Sequence, residues 1–188
     1  MRSGLLGGTF DPPHLGHLVL AEAALTQLGV EAVVFVPAGD PWQKPDDITD
    51  AEDRLQMTRL AVDGIDGMRV DDREVRRAGP SYTADTVREW QQEGTTPVLV
   101  LGADTAAGLT TWHDPHVLAE IDLAVAPRPG TDRATVEAAV GRTVTWLDAP
   151  EIVLSSTELR RRFAAGLSNR FLVPDPVRDH VRDHHLYR

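Results

Sequence analysis

The chain has 188 residues, 41% of them hydrophobic, no cysteine and a formal charge of −10. This length supports one well-buried core, the missing cysteine removes disulfides, thiolate chemistry and Cys-based metal sites, and the acidic balance argues against a nucleic-acid-binding surface. No apolar run is long enough to cross a bilayer and no basic-then-apolar leader is present, so a cytoplasmic protein is expected, with no membrane partner. The charge is uneven: residues 156–188 hold seven arginines against four carboxylates, a net +3, which leaves −13 on the remainder. Any attraction for an anion must therefore be local, set by a few cations in a cleft.

Apolar β-rich runs alternate with helical patterns. In chain order the pattern predicts strand Ser3–Leu6, helix Leu15–Leu28, strand Ala32–Val36, helix Ala51–Val62, strand Arg69–Asp71, helix Thr83–Gln92 and strand Pro97–Leu101. Helix Pro115–Glu120, strand Leu123–Ala126, helix Arg133–Val140, strand Val144–Leu147 and helices Thr157–Ala165 and Pro176–His185 complete it. Thr49 and Glu52 have the spacing of a capping box ahead of the second helix, and Gly29, Gly94 and Gly166 fall where helices should end. The three-proline stretch Pro37–Pro45 reads as a mobile surface loop. Strict alternation implies a Rossmann-like, doubly wound α/β fold. Its sheet would be mostly parallel, covered on both faces and open to ligands at the strands' carboxyl ends. Residues 1–188 are expected to form one domain, with a small helical subregion over about 156–188.

The densest signal is Gly7-Gly8-Thr9-Phe10-Asp11-Pro12-Pro13-His14-Leu15-Gly16-His17, which links the first strand to the first helix. Strand, glycines, proline-punctuated loop and helix N-terminus bring backbone N–H groups and a helix dipole together, an arrangement suited to phosphate. His14 and His17, at i and i+3, face the same side of the first helical turn and can reach one anion, while Gly16 leaves room for a flat base. A zinc reading of the two histidines lacks a third ligand at nearby spacing. Near the C-terminus, Ser156 and Thr157 taken alone read as a helix N-cap, and Trp112 taken alone as buried scaffold.

The first of these motifs resembles the T/H-x-G-H signature of the nucleotidyltransferase superfamily, and Leu154-Ser155-Ser156-Thr157-Glu158-Leu159-Arg160 resembles its C-terminal I-S-S-T-x-I-R phosphate motif. Within that superfamily the chain is similar over essentially its whole length to the bacterial nicotinate-nucleotide adenylyltransferases. Pro80-Ser81-Tyr82-Thr83, Gly102-Ala103-Asp104 with Trp112, Arg128-Pro129-Gly130 and the terminal Leu186-Tyr187-Arg188 share in the likeness. Leucines 154 and 159 replace the usual isoleucines, and Thr131 stands where the family often has tyrosine.

The resemblance implies AMP transfer from ATP, with Mg2+ on its phosphates, to nicotinate mononucleotide, in line and without a covalent enzyme intermediate. It assigns His14, His17, Lys44 and Arg160 to catalysis. It assigns Gly8, Thr9, Phe10, Gly102, Asp104, Ser156 and Thr157, with the same histidines and Arg160, to ATP. Lys44, Tyr82, Thr83 and Trp112 go to the mononucleotide, and no metal ligand is assigned. The Pro37–Pro45 loop is expected to close over the substrates and carry in Lys44, with Trp42 either a lid anchor or a partner contact. Arg54 and Met57 read as scaffold, Arg161 and Arg162 as solvated, and His180 and His184 as a solvated helix face rather than a metal pair. Preference for the amide mononucleotide, a phosphopantetheine acceptor, and a non-catalytic nucleotide sensor are the alternatives. Threonine in place of His14 would mark the phosphopantetheine enzymes, and a sensor should lack a clamp residue, whereas all are present. Self-association into a homo-oligomer is left open.

Overall fold

The computed structural model describes residues 1–41 and 48–188. Six strands form a single sheet: β1 (Arg2–Gly8), β2 (Ala32–Pro37), β4 (Met68–Val70), β6 (Thr96–Gly102), β7 (Asp122–Ala126) and β8 (Thr145–Trp146). Their order is β4-β2-β1-β6-β7-β8 and every pairing is parallel. The chain thus winds outward from β1 in one direction, returns, and winds outward from β6 in the other. The carboxyl ends of β1 and β6 part at this switch point, where doubly wound sheets bind ligands.

A parallel sheet must be covered on both faces. Successive strand residues point to opposite sides, so Leu6, Val98 and Val100 enter one core while Leu5, Leu99 and Leu101 enter the other. Helices α1 (Leu15–Gln27), α2 (Ala51–Val62), α8 (Ser156–Ala164) and α9 (Asp175–Asp183) cover the first face, supplying Leu20, Ala24, Met57, Leu159, Val177 and Val181. Helices α4 (Thr83–Gln92), α5 (Ala103–Ala107), α6 (Pro115–Ala119) and α7 (Arg133–Val140) cover the second with Val87, Trp90, Ala106, Leu118 and Val136. The C-terminal helices therefore share the core of the first face. Among the described residues no helix is long and apolar enough to cross a membrane.

Gly29, Gly94 and Gly166 end their helices at φ of +60°, +79° and +65°, a region that glycine enters without strain. Other local expectations need correction. The cap of α2 is Asp50, whose Oδ1 accepts the Glu52 N–H at 2.9 Å. Thr49 is committed elsewhere, its N–H donating to Asp11 Oδ2 at 3.2 Å. Part of the expected loop is β3 (Asp40–Pro41), paired in parallel with β5 (Pro80–Ser81). There the buried Ser81 hydroxyl accepts from Gly39 N–H and Asp40 N–H at 2.9 and 3.2 Å. The helix α3 (Arg73–Arg76), α5 and the 3-10 turn Leu109–Thr111 are too short to show a hydrophobic period. Helix α8 begins at Ser156 and α9 at Asp175, each one residue earlier than predicted.

Arg54 is fully buried, in keeping with a scaffold role. Its guanidinium donates to the carbonyls of Thr49, Thr9 and Gly39 at 2.9 Å and of Ala38 at 2.6 Å. These carbonyls lie on the loops after β1 and β2 and before α2, where no sheet partner is available. Arg54→Met should leave four carbonyls without donors and destabilise the protein by about 3–5 kcal/mol. Urea unfolding followed by circular dichroism measures this, and a loss below about 1 kcal/mol would contradict it.

Candidate active site

A cleft of about 410 Å³ opens at the switch point. One wall is the stretch Gly7–Asp11 with His14 and His17, and the other is Gly102, Asp104 and Arg128. Thr83 and Trp112 line one end, and Ser155, Ser156 and Thr157 line the wall formed by the start of α8.

The β1–α1 connection is shaped by Phe10, which adopts φ +50°. This turn folds its ring back so that a Cβ on Gly8 would lie 3.0 Å from it. Gly7 and Gly8 are the last residues of β1 rather than turn glycines, and Gly8 is needed for the ring. The Phe10 ring packs on Phe35 at 5.5 Å between centroids and stands edge-on to His17 at 5.0 Å. Helix α1 then starts behind His14, whose backbone N–H donates to His17 Nδ1 at 3.1 Å. His17 so fills the place of the glutamate in a capping box. With Nδ1 accepting, its Nε2 carries the proton.

The two imidazoles stack with centroids 3.7 Å apart. His14 is 2% exposed, and its Nδ1 is buried without a hydrogen-bond partner among the described residues. Burial, followed by the nearby Arg128 cation, lowers its pKa from 6.5 to about 4. At neutral pH it is therefore an uncharged imidazole. At Gly16 a Cβ would meet the His14 ring at 3.1 Å and Ile152 at 3.7 Å, so the missing side chain makes room for that ring.

Behind the histidines lies Asp11, 1% exposed. Tyr187 Oη donates to its Oδ1 at 2.6 Å, and the Thr49 N–H to its Oδ2. Burial and this carboxylate push the Tyr187 phenol well above its ordinary range, so it remains a donor. Arg160 donates to the Asp11 carbonyl at 2.9 Å and Ser156 Oγ to the Pro12 carbonyl at 2.9 Å, which fastens α8 to the histidine loop. The N-cap of α8 is Ser155, whose Oγ accepts the Glu158 N–H at 3.2 Å. Ser156 and Thr157 are thus relieved of capping. Arg128 donates to the Ile152 carbonyl at 2.7 Å, and its Nε would lie 3.0 Å from a Cβ on Gly102, so glycine at 102 admits Arg128 to the cleft.

Gly8, Thr9, Phe10, His14, His17, Gly102, Asp104, Ser156, Thr157, Thr83 and Trp112 therefore meet in one cleft. Arg160 stands behind the wall on Asp11, and the Tyr82 ring stacks on His113, centroids 4.0 Å apart, with neither Arg160 nor Tyr82 among the described lining residues. Lys44 and Trp42 lie outside the described residues. Arg162 is not simply solvated, since it donates to Asn169 Oδ1 at 3.1 Å and the Ser168 carbonyl at 2.6 Å. His180 is buried, its Nε2 3.0 Å from Asp53 Oδ1, contrary to a solvated face. Sequence reasoning gave no role to Asp11, Arg128 or Ser155. All three are members of recognised motifs, but most of the partners that give them their roles are distant in sequence.

A parallel sheet of this order, with both phosphate-type motifs at its switch point, defines a nucleotide-binding α/β protein of Rossmann-like architecture. Residues 5–162 match the cytidylyltransferase-like family. A probable nicotinate-nucleotide adenylyltransferase from Exiguobacterium sibiricum is 42% identical over 190 residues, covering 100% of this chain and 99% of the relative. One from Bordetella avium is 40% identical over 194 residues, covering 100% and 98%. In fold, the chain resembles Plasmodium falciparum nicotinic acid mononucleotide adenylyltransferase complexed with APC, with a TM-score of 0.81 at 16% identity over 99% of this chain and 96% of that one. The chain belongs to the cytidylyltransferase-like family and, within it, to the nicotinate-nucleotide adenylyltransferases.

The His14 environment predicts a pH dependence of folding. The unfolded imidazole binds a proton near pH 6.5, whereas the folded one refuses it until about pH 4. Stability is therefore full above pH 6.5 and falls as pH drops toward 4, by about 3 kcal/mol from this group. Urea midpoints measured across that window should fall less steeply for His14→Asn than for the unsubstituted protein. Equal slopes would assign the acid lability to other groups.

Proposed function

We propose that this chain transfers AMP from ATP to nicotinate mononucleotide, giving nicotinate adenine dinucleotide and pyrophosphate. The close relatives carry this activity in their names, and one structural observation supports it most directly. Two motifs far apart in sequence, at His14–His17 and Ser155–Thr157, face the same cleft and are joined through Asp11 and Pro12. We propose that residues 1–188 act as one domain, since α8 and α9 share a core with α1 and α2.

The mononucleotide phosphate is already an anion, so its oxygen can attack the α-phosphorus of ATP without a general base. A bond forms from that oxygen to phosphorus, the bond to the β-phosphate oxygen breaks, and the electron pair leaves with pyrophosphate. The enzyme then has to align the reactants and neutralise the charge that builds on the leaving group. His17 is suited to donate from Nε2 to the phosphates, and His14 to donate as a neutral imidazole. Thr157 adds a hydroxyl donor and Arg128 a cation beside Gly102, while the Ser156 hydroxyl is committed to the Pro12 carbonyl. Arg160 acts through Asp11 by holding the histidine loop.

Asp104 is suited to accept from ribose hydroxyls. Trp112 offers a face to the pyridine ring, and the positive dipole end of α4 beside Thr83 suits its carboxylate. Both Asp11 carboxylate oxygens are engaged, so the donor set fits Mg2+ carried in on the triphosphate rather than a resident cage. There the ion supplies charge neutralisation at the departing pyrophosphate.

Pyrophosphate release should be strong with the acid mononucleotide, weaker with its amide, and absent with phosphopantetheine. His17→Ala should lower kcat by about 10² to 10³ with folding intact. ATP binding without release with any acceptor would instead indicate a sensor.

A further inference from the structure

Helix α9 packs on α2 behind the cleft, and a second group of ligating side chains lies at that seam. Asp53, His180 and His184 each offer one ligand atom, and these atoms all fall within 4.8 Å of one another. His180 Nε2 is 3.0 Å from Asp53 Oδ1. His180 and His184, at i and i+4 on one helix, stack with centroids 3.9 Å apart. We propose that these three residues bind a borderline divalent transition ion, for which Zn2+ is the probe.

The hydrogen bonding sets the ligand atoms. His184 Nδ1 lies 3.1 Å from the His180 carbonyl. A bond donated there places the ring proton on Nδ1 and leaves the Nε2 lone pair free, the orienting contact found beside metal-bound imidazoles. An Asp–His hydrogen bond across a helix seam accounts for Asp53 and His180 by itself, but not for a second imidazole stacked alongside with an oriented nitrogen. Two nitrogens and one oxygen suit zinc and its neighbours, while calcium and magnesium prefer oxygen. Bonds of about 2.0–2.1 Å set tetrahedral ligand atoms about 3.3 Å apart, so the 3.0 Å His180–Asp53 pair would widen slightly and the longest separation, at most 4.8 Å, would close by up to about 1.5 Å.

Exposure grades across the group: the His180 side chain is 8% exposed, that of Asp53 29%, and His184 is exposed. An ion can enter from solvent and keep a water as fourth ligand. The cations of α9 do not oppose it, because Arg178 pairs with Asp175 and Arg182 with Asp179 and Asp183. Arg54, beside Asp53, turns inward to the loop carbonyls.

Chelator-treated full-length protein titrated with Zn2+ against a chromogenic competitor should bind one ion per chain. His184→Ala removes an exposed side chain, so it should fold normally yet bind about 10-fold or more weakly. Asp53→Asn should weaken binding in the same way. His185→Ala should match the unsubstituted protein, because His185 lies outside the three-residue group. His17→Ala, which removes a cleft imidazole, should match it too. Zn2+ should raise Tm in the unsubstituted chain and not in His184→Ala. No zinc uptake, or equal affinity in His184→Ala and the unsubstituted chain, overturns the site.

Discussion

The site depends on one buried guanidinium. Parallel strands end in loops whose carbonyls have no ladder partners, and at a switch point several such loops crowd together. Arg54 answers four of these carbonyls from a single planar fork of donors. Burial works against its charge, and the carboxylates of Asp11 and Asp50 favour it. Asp11 in turn fixes the other side of the same loop through Tyr187, Thr49 and Arg160. The Thr9–His14 backbone is thus held from beneath by a cation and from behind by an anion. Low-dielectric surroundings make such a network stiff when every member is satisfied.

This scaffold lets the cleft wall facing the ligand carry little charge of its own. His14 is kept neutral by burial, and His17 is held in one tautomer by the His14 backbone. On the proposed reading, donors fixed in this way would meet a phosphate without opposing each other, as two stacked imidazolium rings 3.7 Å apart would. Arg128 is the cation placed on the wall among the described lining residues. On a chain of net charge −10, a local arrangement of this kind would accommodate an anion without a basic surface.

The parts legible in sequence were those with a local cause. Strands and long helices follow from apolar period, and the three helix-ending glycines from the left-handed conformation they adopt. The histidine pair is readable because i and i+3 share a helical face. What could not be read has its cause elsewhere in the chain. Thr49 has the spacing of a cap, yet Asp11 recruits its N–H and Asp50 caps instead. Gly8 looks like a turn glycine, but the reason for it is a ring two residues on. Arg54 reads as scaffold, but nothing local announces the four loop carbonyls that it holds. Tyr187 and Asp11 are 176 positions apart, so their contact is a property of the fold alone.

Helix α2 explains why these distant pieces keep register. Adjacent residues on a helix point about 100° apart, so Asp53 and Arg54 serve different neighbours. Arg54 reaches inward to the loops after β1 and β2, whereas Asp53 meets His180 of α9. Three residues beyond His184 the chain turns back at Tyr187, with φ +59°, and returns to Asp11. The path from α2 to α9 to Tyr187 to Asp11 is therefore closed by Arg54 on Thr9. Movement of α9 along α2 would strain contacts at both ends of that circuit. A C-terminal segment distant from the reacting groups can then set the position of the histidine loop without touching substrate.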